Sequence, residues 1–313
     1  MSAFLSTLDA AERLEVELLF RRQIYADGAT LFQQGEPATG GYLIRQGRVA
    51  LELTLPGAER LRVSELGPGA FFGEPSLLLD GTRTLSARAV GELHVDLLER
   101  HDFQGLRHSL RPAAFKVMLE LARLTGQRIQ LADQATSGQP LLPAQPTPAQ
   151  PLSASGTPGC SFDPRPFLGR LPFFSAFSPT EREELLALGE LYELPRGSEV
   201  LRGGQRSDCC FSVVRGAVEV VNPVTHQHMA VLGPGSLFGH LAPLLGARTI
   251  ADCRTRERAV LLELGPEALE ILLRPERRVS HRFVNALCVA LLRGLARADR
   301  VLARTEHLRK LSG

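Results

Sequence analysis

The chain has 313 residues, 44% of them apolar and 22% charged, an ordinary make-up for a soluble globular protein of about two domains. Its formal net charge of +2 is too small to argue for a nucleic-acid partner. The five cysteines (160, 209, 210, 253 and 288) are odd in number and show no C-x-x-C spacing, so reduced thiols in a cytoplasm are expected, not a disulfide framework or structural zinc.

In chain order, "MSAFLSTLDAAERLE" lacks a basic n-region and turns acidic at once, so it reads as a packing helix and not a signal peptide. "GYLIRQGRVALEL" alternates around Gly47, with Val49, Leu51 and Leu53 on one face and Ala50 and Glu52 on the other, which predicts a strand. "RPAAFKVMLELARLTGQRIQLAD" carries Pro112 near its start and Phe115, Leu119, Ala122 and Ile129 at helical spacing. Residues 137–166 are rich in Pro, Ser, Gly and Ala and nearly uncharged, the composition of an extended spacer. "SPTEREELLALG" predicts a helix capped by Ser178 with Pro179 at its first position. The C-terminal stretch predicts one long helix with Val284, Leu287, Leu291, Leu295, Ala298 and Leu302 on one face. Its uncharged run, Val284 to Leu292, contains Asn285 and is too short to span a membrane. The expected domains are 1–133 and 167–313, joined by a linker over 134–166.

The two sides repeat one another. Gly28, Gly35, Tyr42 and Gly47 match Gly197, Gly204, Phe211 and Gly216 without a gap. "LGPGAFFGEPSLLLDGTRTLSARA" then matches "LGPGSLFGHLAPLLGARTIADCRT", pairing Phe72 and Gly73 with Phe238 and Gly239, and Arg83 and Thr84 with Arg248 and Thr249. Glycines between short alternating runs mark tight turns, so each copy is expected to be a β jelly-roll barrel flanked by helices, an α+β fold.

These landmarks, with F-G-E and then R-T among small residues, resemble the cyclic nucleotide-binding domain, the family of catabolite activator protein, kinase regulatory subunits and gated channels. The resemblance covers nearly the whole chain in two copies. It implies that Arg83 binds the phosphate of a cyclic nucleotide, that Glu74 accepts the ribose 2′-hydroxyl and that Ser76 supplies an amide, with Gly73 and Thr84 leaving room. The chemistry suits those roles: a guanidinium forks onto phosphate oxygens, and a carboxylate accepts from a hydroxyl. The threonine after the arginine leans towards cyclic GMP, and cyclic AMP stays open. Base contacts are implied for the helix near Thr125 to Gln134. In the second copy Gly239, His240, Arg248 and Thr249 are the candidates. His240 replaces the acid, so this pocket is expected to be weaker, altered or empty.

Other patterns are weaker. "HQH" at His226–His228 reads as a hairpin turn, not a metal set, because no acid follows. Cys209 and Cys210 read as small buried residues opening a strand, and Ser280 as a helix cap or a kinase site. No helix-turn-helix, catalytic segment or kinase-inhibitor arm is recognisable, and no acid–base pair or nucleophile set suggests an enzyme. The expected function is a cytoplasmic cyclic nucleotide sensor, acting on a protein partner as a homodimer through its long helices. The alternatives are a scaffold with degenerate pockets, or a nucleic-acid binder using the arginine-rich last helix.

Overall fold

The computed structural model describes residues 3–54, 60–78, 80–137 and 162–312. Cys160 and most of the expected linker lie outside them. Two compact units divide the chain, Met1–Leu121 with Asp299–Gly313, and Ala122–Ala298. Each contains one antiparallel β barrel with helices beside it.

In the first unit a short turn buries Phe4 and Leu5, and helix α1 (Ala10–Glu17) follows. Asp9 caps α1 by accepting from Ala11 and Glu12 amides, while Glu12 accepts in return from the Asp9 amide. Six strands follow: β1 (Phe20–Tyr25), β2 (Thr30–Phe32), β3 (Gly40–Thr54), β4 (Arg60–Leu66), β5 (Phe71–Phe72) and β6 (Ser86–Glu99), with the short helix α2 (Pro75–Leu78) between β5 and β6. The sheet runs β1-β6-β3-β4, with β2 on β6 and β5 on β3. The long β3–β6 ladder breaks register on both sides of Gln46, next to Gly47 at φ +82°. A Cβ at Gly47 would lie 2.2 Å from the Glu92 carbonyl, so only glycine allows the close crossing there. The bend lets one ladder curl around a core of Phe32, Tyr42, Ile44, Val49, Leu51, Phe72, Val95 and their neighbours, with Leu53 packed at its edge. The strand periodicity expected around Gly47 is thus present, although Ala50 is buried as well. Helices α3 (Arg100–His108) and α4 (Pro112–Ser137) complete this part of the chain.

The second unit takes in α4 from Ala122 onward, so both the unit boundary and the expected limit at residue 133 fall within this helix. Helices α5 (Arg165–Leu168) and α6 (Pro179–Leu188) precede the second barrel, and Ser178 caps α6 in a reciprocal box with Glu181, as the sequence predicts. Strands β7 (Glu190–Leu194), β8 (Glu199–Leu201), β9 (Cys210–Arg215), β10 (Val218–Val221), β11 (His228–Leu232), β12 (Leu237–Phe238), β13 (Asp252–Thr255) and β14 (Ala259–Leu264) form two sheets, β11-β10-β13-β8 and β12-β9-β14-β7. Gly216 repeats the role of Gly47, with φ +79° and a Cβ position 2.6 Å from the Arg258 carbonyl. Helix α7 (Leu241–Leu245) lies between β12 and β13, and α8 (Pro266–Leu272) and α9 (Arg278–Ser312) end the chain.

The smaller expectations are resolved by position. His226 lies in the β10–β11 hairpin, whose turn Asn222 Oδ1 holds by accepting from the Val224 and Thr225 amides. Cys209 and Cys210 are buried at the start of β9, and burial pushes the Cys209 thiol up to about 12. Ser280 is not a cap: it lies within the first turn of α9, fully buried, and donates to the Ile271 carbonyl.

The last helix is also more apolar than its short uncharged run suggests. Arg278–Val301 is long and apolar enough to cross a membrane by length and composition, but 56% of its most apolar window is buried in the protein. Of the expected stripe, Val284, Leu287, Leu291 and Leu295 are buried and Ala298 is half-buried, which is the pattern of a core helix. The side chain of Leu302 lies outside the described ones.

Candidate functional site

The segment that joins β5 to β6 in the first barrel is stitched to the turn at Gly35. The Arg83 amide donates to the Glu36 carbonyl at 2.8 Å, the Gly35 amide donates back to the Arg83 carbonyl at 2.9 Å, and Pro37 bridges Thr82. This ladder sets which side chain faces inward, and it is that of Arg83, which is 5% exposed. Its guanidinium carbon lies 4.0 Å above the Phe32 ring and 5.7 Å from that of Tyr42. Nη1 donates to the Gly40 carbonyl at 2.8 Å and to Ser76 Oγ at 2.7 Å. Nε is buried with no hydrogen-bond partner among the described residues. Burial lowers the Arg83 pKa; Tyr42 opposes that shift, Arg100 adds to it, and Glu36 and Glu74 oppose it. An arginine keeps its charge through such a shift.

Gly73 makes the space. At φ +75°, its Cβ position would lie 2.8 Å from Arg83 Nη1 and 3.2 Å from the Gly40 carbonyl, so any side chain would displace the guanidinium. Glu74 follows it, 2% exposed, at the start of α2. Ser76 meets Arg83 through its hydroxyl, while its amide donates to the Gly73 carbonyl at 3.1 Å. The amide role that the resemblance implies for Ser76 is therefore taken up within the α2 turn. Thr84 is exposed, one residue past Arg83. The segment brings a cation, a carboxylate and a hydroxyl together over an aromatic floor, a set that can hold an anionic group and a neighbouring hydroxyl.

Sequence reasoning missed Arg100. It opens α3, where its Nε donates to the Ser76 carbonyl, Nη1 pairs with Asp80 and Nη2 donates to the Ala38 carbonyl. Its amide adds a bond to the Thr39 carbonyl at 2.8 Å. One side chain thus fastens α2 to the loop before β3. Nothing in its spacing from Arg83 signals this, because the contact is made across the barrel's end.

The second barrel corrects the pairing of the arginines. The Thr249 amide donates to the Gln205 carbonyl, the Gly204 amide donates to the Thr249 carbonyl, and Arg206 bridges Arg248. These are the bonds made by Arg83, Gly35, Pro37 and Thr82 in the first barrel. Thr249 therefore stands where Arg83 stands, and Arg248 stands where Thr82 does. A shift of one residue along an extended segment turns a side chain to the opposite face. Arg248 accordingly reaches the Gly204 carbonyl at 2.9 Å, not a position beside Gly239. Thr249 is buried and donates its hydroxyl to the Arg202 and Gln205 carbonyls. In the same register His240 replaces Glu74, Ala242 replaces Ser76, Leu201 replaces Phe32 and Pro266 replaces Arg100. His240 Nδ1 is buried with no hydrogen-bond partner among the described residues, and burial, aided by Arg297, pulls the imidazole pKa down to about 4. It is a neutral side chain at neutral pH.

The stretch near Thr125 to Gln134, implied for base contacts, lies in the second unit, with Thr125, Ile129 and Ala132 buried there. No group of three or more His, Cys, Asp or Glu side chains able to hold a metal ion converges among the described residues.

Fold and site together give an antiparallel barrel with a buried arginine, a carboxylate and a hydroxyl at one end. The sequence profile of the cyclic nucleotide-binding domain matches residues 22–109 and 191–276, more than half of the chain, and the chain belongs to that family. The cyclic AMP receptor protein of Thermus thermophilus is 36% identical over 125 residues, 40% of this chain and 56% of its own length. The cAMP-dependent protein kinase regulatory subunit of Emericella nidulans is 21% identical over 281 residues, 88% of this chain and 57% of its own. The chain thus spans a little over half the length of these relatives. Among solved structures, the Thermus thermophilus catabolite activator protein is 29% identical, with 44% of this chain and 70% of that one covered and a TM-score of 0.35.

Proposed function

We propose that this chain is a cyclic nucleotide sensor that binds its ligand in the first barrel and acts by contact with another protein, without catalysis of its own. The observation that carries this is the buried Arg83 guanidinium, held by Gly40 and Ser76 over Phe32 with Glu74 beside it. It offers the phosphate a desolvated cation and the ribose a carboxylate. The names of the relatives favour cyclic AMP over cyclic GMP, and Thr84 is the position at which the two would be told apart. The buried thiols Cys209, Cys210 and Cys253 favour a reducing cytoplasm. A homodimer would have to use apolar side chains other than the buried stripes, such as Leu131 or Val301, which are 63% and 48% exposed. Light scattering well above 34.1 kDa would show it.

The test is calorimetric titration of the whole chain with cyclic AMP and cyclic GMP, repeated on Arg83→Ala. Loss of a hydrogen bond to a charged group costs about 1.5–3 kcal/mol, or about 10- to 150-fold in affinity. Binding by the wild type that Arg83→Ala leaves unchanged would refute the reading.

A further inference from the structure

We propose that the second barrel takes no cyclic nucleotide, and that its helix α7 is instead the seat of the α4 turn around Gly126, so that the chain holds a single nucleotide. The first half rests on the function proposed above.

The second barrel has lost the chemistry of the first by substitution at every polar position. Thr249, His240 and Ala242 stand in place of Arg83, Glu74 and Ser76, and Arg248 is turned to the other face by the register. The space is filled as well. A Cβ at Gly73 meets the Arg83 guanidinium, whereas a Cβ at Gly239 meets Leu201 Cδ1 at 3.0 Å and Phe211 Cδ2 at 3.2 Å. Leu201 and Phe211 belong to one apolar cluster with Cys209, Phe238 and Cys253. A phosphate placed there would lose its water against Leu201 and Phe211, a burial that proteins avoid.

Helix α7 nonetheless has a partner. Gly126 lies in the interior of α4, where glycine is less favourable than alanine, so its presence there has a packing reason. Its Cβ position is 3.1 Å from Leu241 Cδ2 and 3.3 Å from Leu245 Cδ1, the two ends of α7. One turn further on, Ile129 Cδ1 is 3.3 Å from the Cβ position of Gly294, a second mid-helix glycine, in α9. Ala122, Thr125, Gly126, Ile129 and Ala132 are buried at three- and four-residue spacing, which gives α4 one continuous face for these contacts.

Two measurements on the full-length protein test this. Titration with cyclic AMP should give one site per chain, and Arg83→Ala should weaken that whole site by about 10- to 150-fold. Two sites per chain, one of them unchanged in Arg83→Ala, would overturn the proposal while leaving nucleotide binding in the first barrel established. In hydrogen exchange, Gly126→Leu should speed the amides of 241–245 by about tenfold or more, because the contact is local and its loss opens only that segment. Should that variant fail to fold, Leu241→Ala should speed exchange at 125–129 in the same way. Unchanged exchange in a folded variant would overturn the seat. If no nucleotide binds at all, the function proposed above fails, and the exchange result alone decides the seat.

Discussion

Replacing Gly73 by alanine separates backbone strain from ligand chemistry, because Gly239 offers a matched control. Both glycines sit at φ +75°. A left-handed backbone costs an L-residue about 1–2 kcal/mol, so Gly73→Ala and Gly239→Ala should each lose about that much stability. For units of this size that is a melting shift of about 2–4 °C per kcal/mol. The new methyl groups meet different neighbours. At Gly239 they are two apolar side chains at 3.0 and 3.2 Å, which can give by a few tenths of an ångström. At Gly73 the neighbour is Arg83 Nη1 at 2.8 Å, already fixed by bonds of 2.8 and 2.7 Å to Gly40 and Ser76. The guanidinium must move, and one charged hydrogen bond lost is worth about 10- to 150-fold in affinity. The assay pairs thermal melts with calorimetric titration of cyclic AMP. The expected result is similar melting losses, with affinity reduced only in Gly73→Ala. Equal affinity losses in both variants, or none in a folded Gly73→Ala, would refute the reasoning.

Arg100→Ala should weaken cyclic AMP binding by about tenfold although Arg100 faces the cassette's backbone, because charged bonds to the Ser76 and Ala38 carbonyls are lost; faster amide exchange over 73–78 would mark the cause as positioning. Gly47→Ala should destabilise the first barrel by more than about 2 kcal/mol, since left-handed strain adds to a 2.2 Å clash with the Glu92 carbonyl, and a urea titration would read it. His240 carries a pH signature. Its folded pKa, about 4, lies below its unfolded value, so the unfolded chain binds the extra proton, and stability should fall as pH drops from about 6.5 towards 4. Melts of His240→Gln over that range should show a shallower decline than the wild type, and identical profiles would contradict a buried neutral imidazole.

The duplication, the barrel glycines, the capped helix at Ser178 and the cassette Gly73–Glu74–Arg83 were legible in the residues, because each depends on local backbone geometry or on a short spacing. Gly47 and Gly216 are glycine because a Cβ there would lie within 2.6 Å of a crossing carbonyl, and that need shows in any copy of the fold. The partner of Arg83 in the second copy was not legible in the same way. Matching letters sets Arg248 opposite Arg83, whereas counting ten residues from each glycine, Gly73 and Gly239, reaches Arg83 and Thr249. Only the hydrogen bonds to Gly35 and Gly204 decide between the two, since the face a side chain takes depends on register, not on identity. Arg100 and the α4–α7 contact lay beyond the sequence for a related reason. They join residues distant along the chain, and the closeness of Ser76 to Arg100, or of Gly126 to Leu241, is created by packing alone.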